Sequence, residues 1–130
     1  MISFKLYLEN LDWNSKYPVA SGTVDGRQVM GNAPNTASIE STFTNYTVLP
    51  GTREVPMADL GKPNSVFYAA NDFQRSKDLA AEIQQSNAIS PLIIAVDKEG
   101  PYILEGAHRF VALHYLNAKS FPAMVVIDND

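Results

Sequence analysis

The chain contains no cysteine, and this absence excludes several kinds of chemistry at once. Without a thiol there can be no cysteine nucleophile, no disulfide framework and no thiolate metal site. Histidine is also scarce, because His108 and His114 are the two histidines of the sequence. A histidine-rich metal cluster is therefore excluded as well.

Basic residues and long apolar runs are in short supply too. Ten Lys and Arg stand against 14 Asp and Glu, which gives a formal net charge of −4 at pH 7. Proteins that neutralise DNA phosphates usually show the opposite balance. The longest apolar run, residues 91–96, has the length of a strand, and Glu9 comes before a signal-peptide core could form. We therefore expect a cytoplasmic protein without a membrane segment.

What is present is typical of a globular protein. The 130 residues are 45% hydrophobic and 10% aromatic, which fits a single domain of ordinary size. The composition changes near residue 51, because the residues before it are rich in Ser, Thr, Asn and Gly. We predict a β-rich extension over residues 1–52 and an α+β domain over residues 53–130. The extension would complete the core or dock a protein partner through residues 1–50.

Short strands are expected in the extension. Apolar and polar residues alternate over residues 2–8, which predicts a strand. The pair Asp25-Gly26 favours a type I′ hairpin turn, because both central residues of that turn need a positive φ. Residues 43–49 are rich in Thr, Tyr and Val and predict another strand. Residues 31–41 include Asn-Ala-Pro-Asn and predict a loop.

The rest of the chain predicts the order strand, helix, strand, hairpin strand, helix, strand. The strands are expected at residues 55–60, 91–96, 102–104 and 121–127, and the helices at residues 72–86 and 106–116. A turn is expected at residues 61–64. Asn71 or Asp72 would cap the first helix. Asn117 would end the second, because Asn tolerates the left-handed conformation.

The candidate functional residues lie at the start of the second predicted helix. A strand runs into Gly106, and Ala107, His108 and Arg109 follow in the first helical turn. The first N–H groups of a helix lack partners inside it and the dipole is positive there, so a phosphate is attracted. Gly106 leaves the approach open, and Arg109 can donate two hydrogen bonds to phosphate oxygens. Cations disfavour a helix N-terminus, so His108 and Arg109 together point to an external anion.

Other interpretations of this segment stay open. Arg109 could form an ion pair with Glu105, and the motif would then be a salt-bridged helix terminus. Glu105 could instead face a metal ion or a hydroxyl nucleophile. His114 lies six residues after His108 and off its face. We interpret His114 as a surface or partly buried structural histidine.

Four segments in this order resemble the ParB/sulfiredoxin superfamily. Residues 89–96 are similar to its P-I-x-V strand, and a hairpin follows. Residues 106–112 are similar to its G-x-[HR]-R-x-x-A helix start, and residues 118–122 to its exit into a last strand. The resemblance covers about residues 53–128 and implies a compact α+β fold in which helices pack on a mixed sheet. It does not explain the first 50 residues.

The resemblance also implies a function. In that superfamily the Gly-x-His/Arg-Arg turn holds nucleotide phosphates, and a basic residue of the preceding helix assists. The matching residues here are Gly106, Ala107, His108, Arg109 and Arg75. Free-serine kinases of the superfamily use an acidic residue before the glycine, so Glu105 is the candidate base, with His108 beside it. The resemblance implies ATP or CTP with Mg²⁺, and phosphoryl transfer or NTP hydrolysis. No metal ligand is assigned.

The sequence differs from the pattern of the superfamily at several positions, and these differences exclude some of its activities. Ala107 stands where sulfiredoxins have cysteine, so sulfiredoxin activity is excluded. Val111 replaces a second basic residue of ParB proteins, and the sequence ends before their helix-turn-helix domain, so sequence-specific DNA binding is not expected. Asp78 stands where sulfiredoxins have a phosphate-binding serine, and it would repel a triphosphate unless a cation intervenes. A ParB-like nuclease and a non-catalytic binding or regulatory module, as in phages or mobile elements, are the alternative functions.

Overall fold

The computed structural model describes residues 12–31, 34–60 and 70–130, without the side chains of residues 70–72. The elements in chain order are α1 (Trp13–Lys16), β1 (Thr23–Val24), β2 (Arg27–Val29), α2 (Ala37–Thr42), β3 (Tyr46–Val48), β4 (Arg53–Pro56), a 3₁₀ helix (Met57–Leu60), α3 (Ala70–Ser86), β5 (Ala88–Ile89), β6 (Leu92–Asp97), β7 (Gly100–Glu105), α4 (Ala107–Tyr115) and β8 (Ser120–Asp128). The strand predicted at residues 2–8 and the turn predicted at 61–64 lie outside these ranges. Within them, no helix has the length and apolar character that crossing a membrane requires.

The main sheet is organised around β8. Strand β6 pairs with β8 in parallel, from Leu92 opposite Ala123 to Val96 opposite Ile127. Strand β7 pairs antiparallel with the other edge of β6. On the far side of β8, strands β3 and β4 both pair with it antiparallel, β4 along its first half and β3 along its second half. The protein therefore has a mixed sheet and an α+β fold, as the sequence predicts.

A smaller sheet contains the predicted hairpin. Strands β1 and β2 pair antiparallel, and β5 pairs in parallel with β2. Asp25 has a φ of 51° and Gly26 a φ of 77°, so both central residues of the turn have the positive φ that was predicted. The Asp25 carboxylate also accepts a hydrogen bond of 2.9 Å from the backbone N–H of Lys119. This contact joins the hairpin to the turn that precedes β8.

Helices α3 and α4 pack on one face of the main sheet. Their buried apolar residues contact the sheet residues that point to the same side: Ala80, Ile83, Phe110 and Leu113 from the helices, and Val55, Leu92, Ile94, Val96, Phe121, Ala123, Val125 and Ile127 from the strands. Phe110 and Phe121 meet edge to face with ring centroids 5.9 Å apart. Removing this surface from water is the main force that fixes α4, and therefore Gly106, against the sheet.

Helix α2 covers the opposite face of the sheet. Its Ile39 and the following Phe43 are buried against Ile93, Ala95 and Val126. The prediction of a loop over residues 31–41 is therefore wrong from residue 37 onward. The apolar side chains four residues apart form one helical face, and burying that face outweighs the loop-favouring polar residues between them.

Several predicted boundaries also differ from the structure. Phe43 ends α2, so the strand predicted at residues 43–49 is reduced to β3. The strand predicted at 55–60 ends at Pro56, because the chain turns into the 3₁₀ helix and buries Met57. Asn71 and Asp72 both lie inside α3, so neither caps it. Asn117 has a φ of 55° just after α4, as predicted.

Segments on both sides of residue 52 contribute to the main sheet. Strand β3 and helix α2 precede this residue, and β4 follows it directly. The Arg53 side chain donates to the backbone carbonyl oxygens of Pro50 and Tyr17, at 3.1 Å each. The division into two units at residue 52 stays a prediction.

Candidate functional site

Gly106 connects β7 to α4 in a left-handed conformation, with φ of 103° and ψ of 26°. It occupies the N-cap position and offers no side chain to the helix start. The first backbone hydrogen bond of the helix runs from the Phe110 N–H to the Gly106 carbonyl, at 2.9 Å. The N–H groups of the three residues between them, Ala107, His108 and Arg109, therefore have no acceptor inside the helix. These groups form the positive end of the helix dipole.

A cleft of about 330 Å³ lies at this helix start. It is lined by residues of α3, of the end of β7 and of the first turn of α4: Arg75, Leu79, Leu104, Glu105, Gly106, Ala107, His108 and Arg109. We call it the α4 cleft. All six residues that the sequence predicts for the site line it, including Arg75, which comes from a different helix.

Arg109 is held by backbone carbonyl groups. Its Nη1 donates to the carbonyl oxygens of Ser90, at 3.1 Å, and Pro91, at 2.9 Å, just before β6. Burial lowers the pKa of Arg109, and the negative charge of Glu105 acts in the opposite direction. The predicted alternative of an ion pair between Arg109 and Glu105 is wrong, since no ion pair joins these two described residues. The carbonyl oxygens of Ser90 and Pro91 therefore satisfy the guanidinium at Nη1.

Glu105 ends β7 and is exposed. Its Oε2 accepts a hydrogen bond of 3.4 Å from Oγ of Ser38, on helix α2. The sequence did not reveal Ser38, because it is 67 residues away and falls in a segment predicted as a loop. The apolar wall of the cleft, Leu79 and Leu104, was also missed, since its residues carry no chemical signal.

The acidic groups near the α4 cleft limit how it could hold a cation. Glu105 is the acidic residue among those that line it. Across residues 12–31, 34–60 and 70–130, no three His, Asp or Glu side chains are grouped closely enough to hold a metal ion. Asp78 accepts a hydrogen bond of 2.9 Å from Gln74 and does not line the cleft. Among the residues that line the cleft, Glu105 is therefore the carboxylate that a cation there could contact.

Comparison with known proteins shows that the structure of this chain is similar to a solved structure. No model of a known protein family matches the chain, and no curated protein matches it. The structure is similar to that of sulfiredoxin from Arabidopsis thaliana. The two sequences are 22% identical, the match covers 58% of this chain and 84% of that chain, and the TM-score is 0.48.

Proposed function

We propose that the protein is a member of the ParB/sulfiredoxin superfamily that binds a nucleotide, ATP or CTP, with its phosphates in the α4 cleft. The observation that carries the proposal is the convergence of Arg75 with the helix start at Gly106–Arg109 in one cleft. The two elements are separate in sequence, and both contribute groups that attract an anion. The volume of about 330 Å³ is at the lower end of the range for ligand sites, which suits phosphates better than a whole nucleotide.

The electrostatics of the cleft favour a small anion over a polymer. The N–H groups at the start of α4 and the positive end of its dipole contribute about 0.3–1 kcal/mol to binding of an anion. Arg75 and Arg109 add charge-assisted hydrogen bonds. Residues 55–128 hold six Lys and Arg against eight Asp and Glu, so these positive groups form a local spot on an acidic domain. Nucleic acids usually require a row of such contacts, which counts against a nuclease.

The reaction that we propose is hydrolysis of the nucleotide or transfer of its terminal phosphoryl group. The Glu105 carboxylate would accept the proton of the attacking water or hydroxyl group while the terminal P–O bond breaks and the nucleoside diphosphate leaves. Arg75, Arg109 and His108 would stabilise the negative charge on the transferred group. Mg²⁺, when bound with the nucleotide, would neutralise phosphate charge.

Arg75 gives the sharpest test of binding. Its side chain is exposed, so replacement should leave the fold intact, whereas Arg109 also supports the backbone. We expect Arg75→Ala to weaken binding of ATP and pyrophosphate about tenfold or more in titration calorimetry, as for a lost hydrogen bond to a charged group. Lys98→Ala removes an equal charge from the turn between β6 and β7 and should change affinity less than about twofold. The absence of binding heat with ATP, CTP and pyrophosphate, with and without Mg²⁺, would contradict the proposal.

The catalytic part is tested separately. Phosphate release from ATP and CTP with Mg²⁺ should fall about 100-fold or more in Glu105→Gln, because a general base contributes that much to rate. Nucleotide affinity should be retained in this variant. Glu99→Gln, in the exposed turn before β7, is the matched control. Binding without any phosphate release by the unmodified protein would identify a non-catalytic binding module instead.

A further inference from the structure

A second cavity, of about 290 Å³, borders the α4 cleft. Leu79 and Arg109 line both spaces, so Arg109 belongs both to the proposed phosphate site and to the wall of the second cavity. The other residues that matter here lie directly after β2, in the second half of α3 and in β5: Met30, Glu82, Ile83 and Ile89. We call this space the α3–β5 cavity.

The two spaces differ in charge. The α4 cleft contains Arg75, His108 and the helix start. In the α3–β5 cavity, the charged residue besides Arg109 is Glu82, and much of the wall is apolar. A ligand with a phosphate end and an uncharged end is therefore oriented in one direction, because Glu82 repels phosphates and the helix start attracts them.

The distance along α3 between the two spaces matches the length of such a ligand. Arg75 and Ile83 are eight residues apart on this helix, which corresponds to about 12 Å along its axis. A nucleoside triphosphate in an extended conformation covers a distance of this order between its terminal phosphate and its base. One ligand can thus reach both spaces by passing Arg109.

We propose that the α3–β5 cavity binds the base of the nucleotide, and that Glu82 accepts a hydrogen bond from an exocyclic amino group of that base. This inference rests on the proposed function. The planar guanidinium of Arg109 can stack on an aromatic ring, and the Met30 sulfur makes favourable contacts with one. A carboxylate is a suitable acceptor for a base amino group, as in recognition of the cytosine amino group by Glu and Asp.

Replacement of Met30 tests the location of the base. Met30 is 41% exposed, so Met30→Trp should fill the cavity without disturbing the core. In titration calorimetry we expect ATP binding to weaken about tenfold, while binding of tripolyphosphate, which has the same phosphates and no base, changes less than twofold. Val48→Trp places the same bulk on a residue that is 38% exposed and lines neither space, and it should change neither affinity. Unchanged ATP affinity in Met30→Trp would overturn the inference.

The choice of base tests the role of Glu82. The unmodified protein should bind ATP and CTP about fivefold more tightly than UTP, which has no exocyclic amino group. In Glu82→Ala this ratio should fall towards one. The ratio is the readout because removal of a negative charge would raise the affinity for every triphosphate equally. Equal affinities for ATP, CTP and UTP in the unmodified protein would overturn the proposed contact.

The failure of this inference is distinguishable from failure of the proposed function. If Arg75→Ala weakens tripolyphosphate binding but Met30→Trp leaves ATP binding unchanged, the phosphate site stands and the base site is wrong. If the protein binds neither tripolyphosphate nor ATP, the proposed function is wrong and the base site is overturned with it.

Discussion

Leu92 occupies the space that a side chain at Gly106 would need. A Cβ atom at Gly106 would lie 2.7 Å from Cγ and 3.2 Å from Cβ of Leu92, the first residue of β6. Since Leu92 is completely buried, it has little room to move away. The start of α4 therefore rests directly on the sheet, and this close approach sets the position of the first N–H groups of the helix.

Gly106→Ala should destabilise the protein by about 2–4 kcal/mol, because it combines an unfavourable positive φ with the clash against Leu92. Gly100→Ala is the matched control, since Gly100 has a φ of 114° and a Cβ atom added there would meet nothing within 4 Å. The control should cost about 1–2 kcal/mol, from the backbone alone. Urea denaturation measures both values, and equal losses would show that the contact with Leu92 is unimportant.

Arg109→Ala should lower the free energy of unfolding by about 1–3 kcal/mol, even without a ligand. The substitution leaves the carbonyl oxygens of Ser90 and Pro91 without the donor that they have in the structure. Arg75→Ala, which removes an exposed charge of the same type, should change stability by less than about 0.5 kcal/mol. Both values can be read from urea denaturation. A stable Arg109→Ala variant would show that these hydrogen bonds contribute little.

Phe43→Ala should destabilise the protein by about 3 kcal/mol, because it opens a cavity between α2 and the sheet. Phe43 is 8% exposed and packs with Ile93 and Val126. Val19→Ala serves as the control, since Val19 is 58% exposed, and it should change stability by less than about 0.5 kcal/mol. Thermal and urea unfolding can both be used, and a small effect of Phe43→Ala would show that α2 is only loosely attached.

Removal of residues 1–50 should prevent folding of the remainder. The truncation removes β3 and α2. Strand β8 then loses a pairing partner, and Ala95 and Val126 lose the apolar side chains of Ile39 and Phe43 that pack against them. Far-UV circular dichroism and cooperative urea unfolding report the result. A remainder that unfolds cooperatively would support an independent unit after residue 52.

Tyr17 should make the stability depend on pH in the alkaline range. Burial raises the pKa of Tyr17, and the negative charge of Asp59 raises it further. The unfolded chain loses the phenolic proton near its ordinary pKa of 10.0, whereas the folded protein keeps it. The stability from this group is thus complete below about pH 10 and is lost as the pH rises above it.

Comparison with Tyr17→Phe isolates this effect. The Tyr17 hydroxyl is buried beside the Asp59 carboxylate, so its removal should change stability at pH 7 by no more than about 1 kcal/mol. Between pH 9 and about 11 the variant should lose less stability than the unmodified protein. Parallel pH profiles of the two proteins would show that Tyr17 does not contribute.

The features that the sequence predicts well depend on neighbouring residues. The turn at Asp25-Gly26 needs two adjacent residues that tolerate a positive φ, and the strand β6 is a continuous apolar run. The helix start at Gly106 is equally local, since its glycine, histidine and arginine lie within four consecutive residues. Such signals are complete within a few residues, so no knowledge of the rest of the fold is required.

The features that were missed depend on contacts across the fold. The amphipathic face of α2 consists of Ile39 and Phe43 alone, and it becomes decisive only when the sheet lies beneath it. The partners of Arg109 are carbonyl oxygens, which every residue has and no sequence pattern marks. The approach of Ser38 to Glu105 likewise follows from the packing of α2 and has no local signal.

The central position of β8 has a consequence for how the chain acquires its structure. This strand follows in sequence each of the three strands that pair with it, and its partner β3 lies more than 70 residues earlier. During synthesis, β3, β4 and β6 therefore emerge from the ribosome before the strand that joins them exists. Pairings over such separations are slow to form and leave strand edges exposed in the meantime. The growing chain thus has to keep its earlier strands apart until β8 inserts among them.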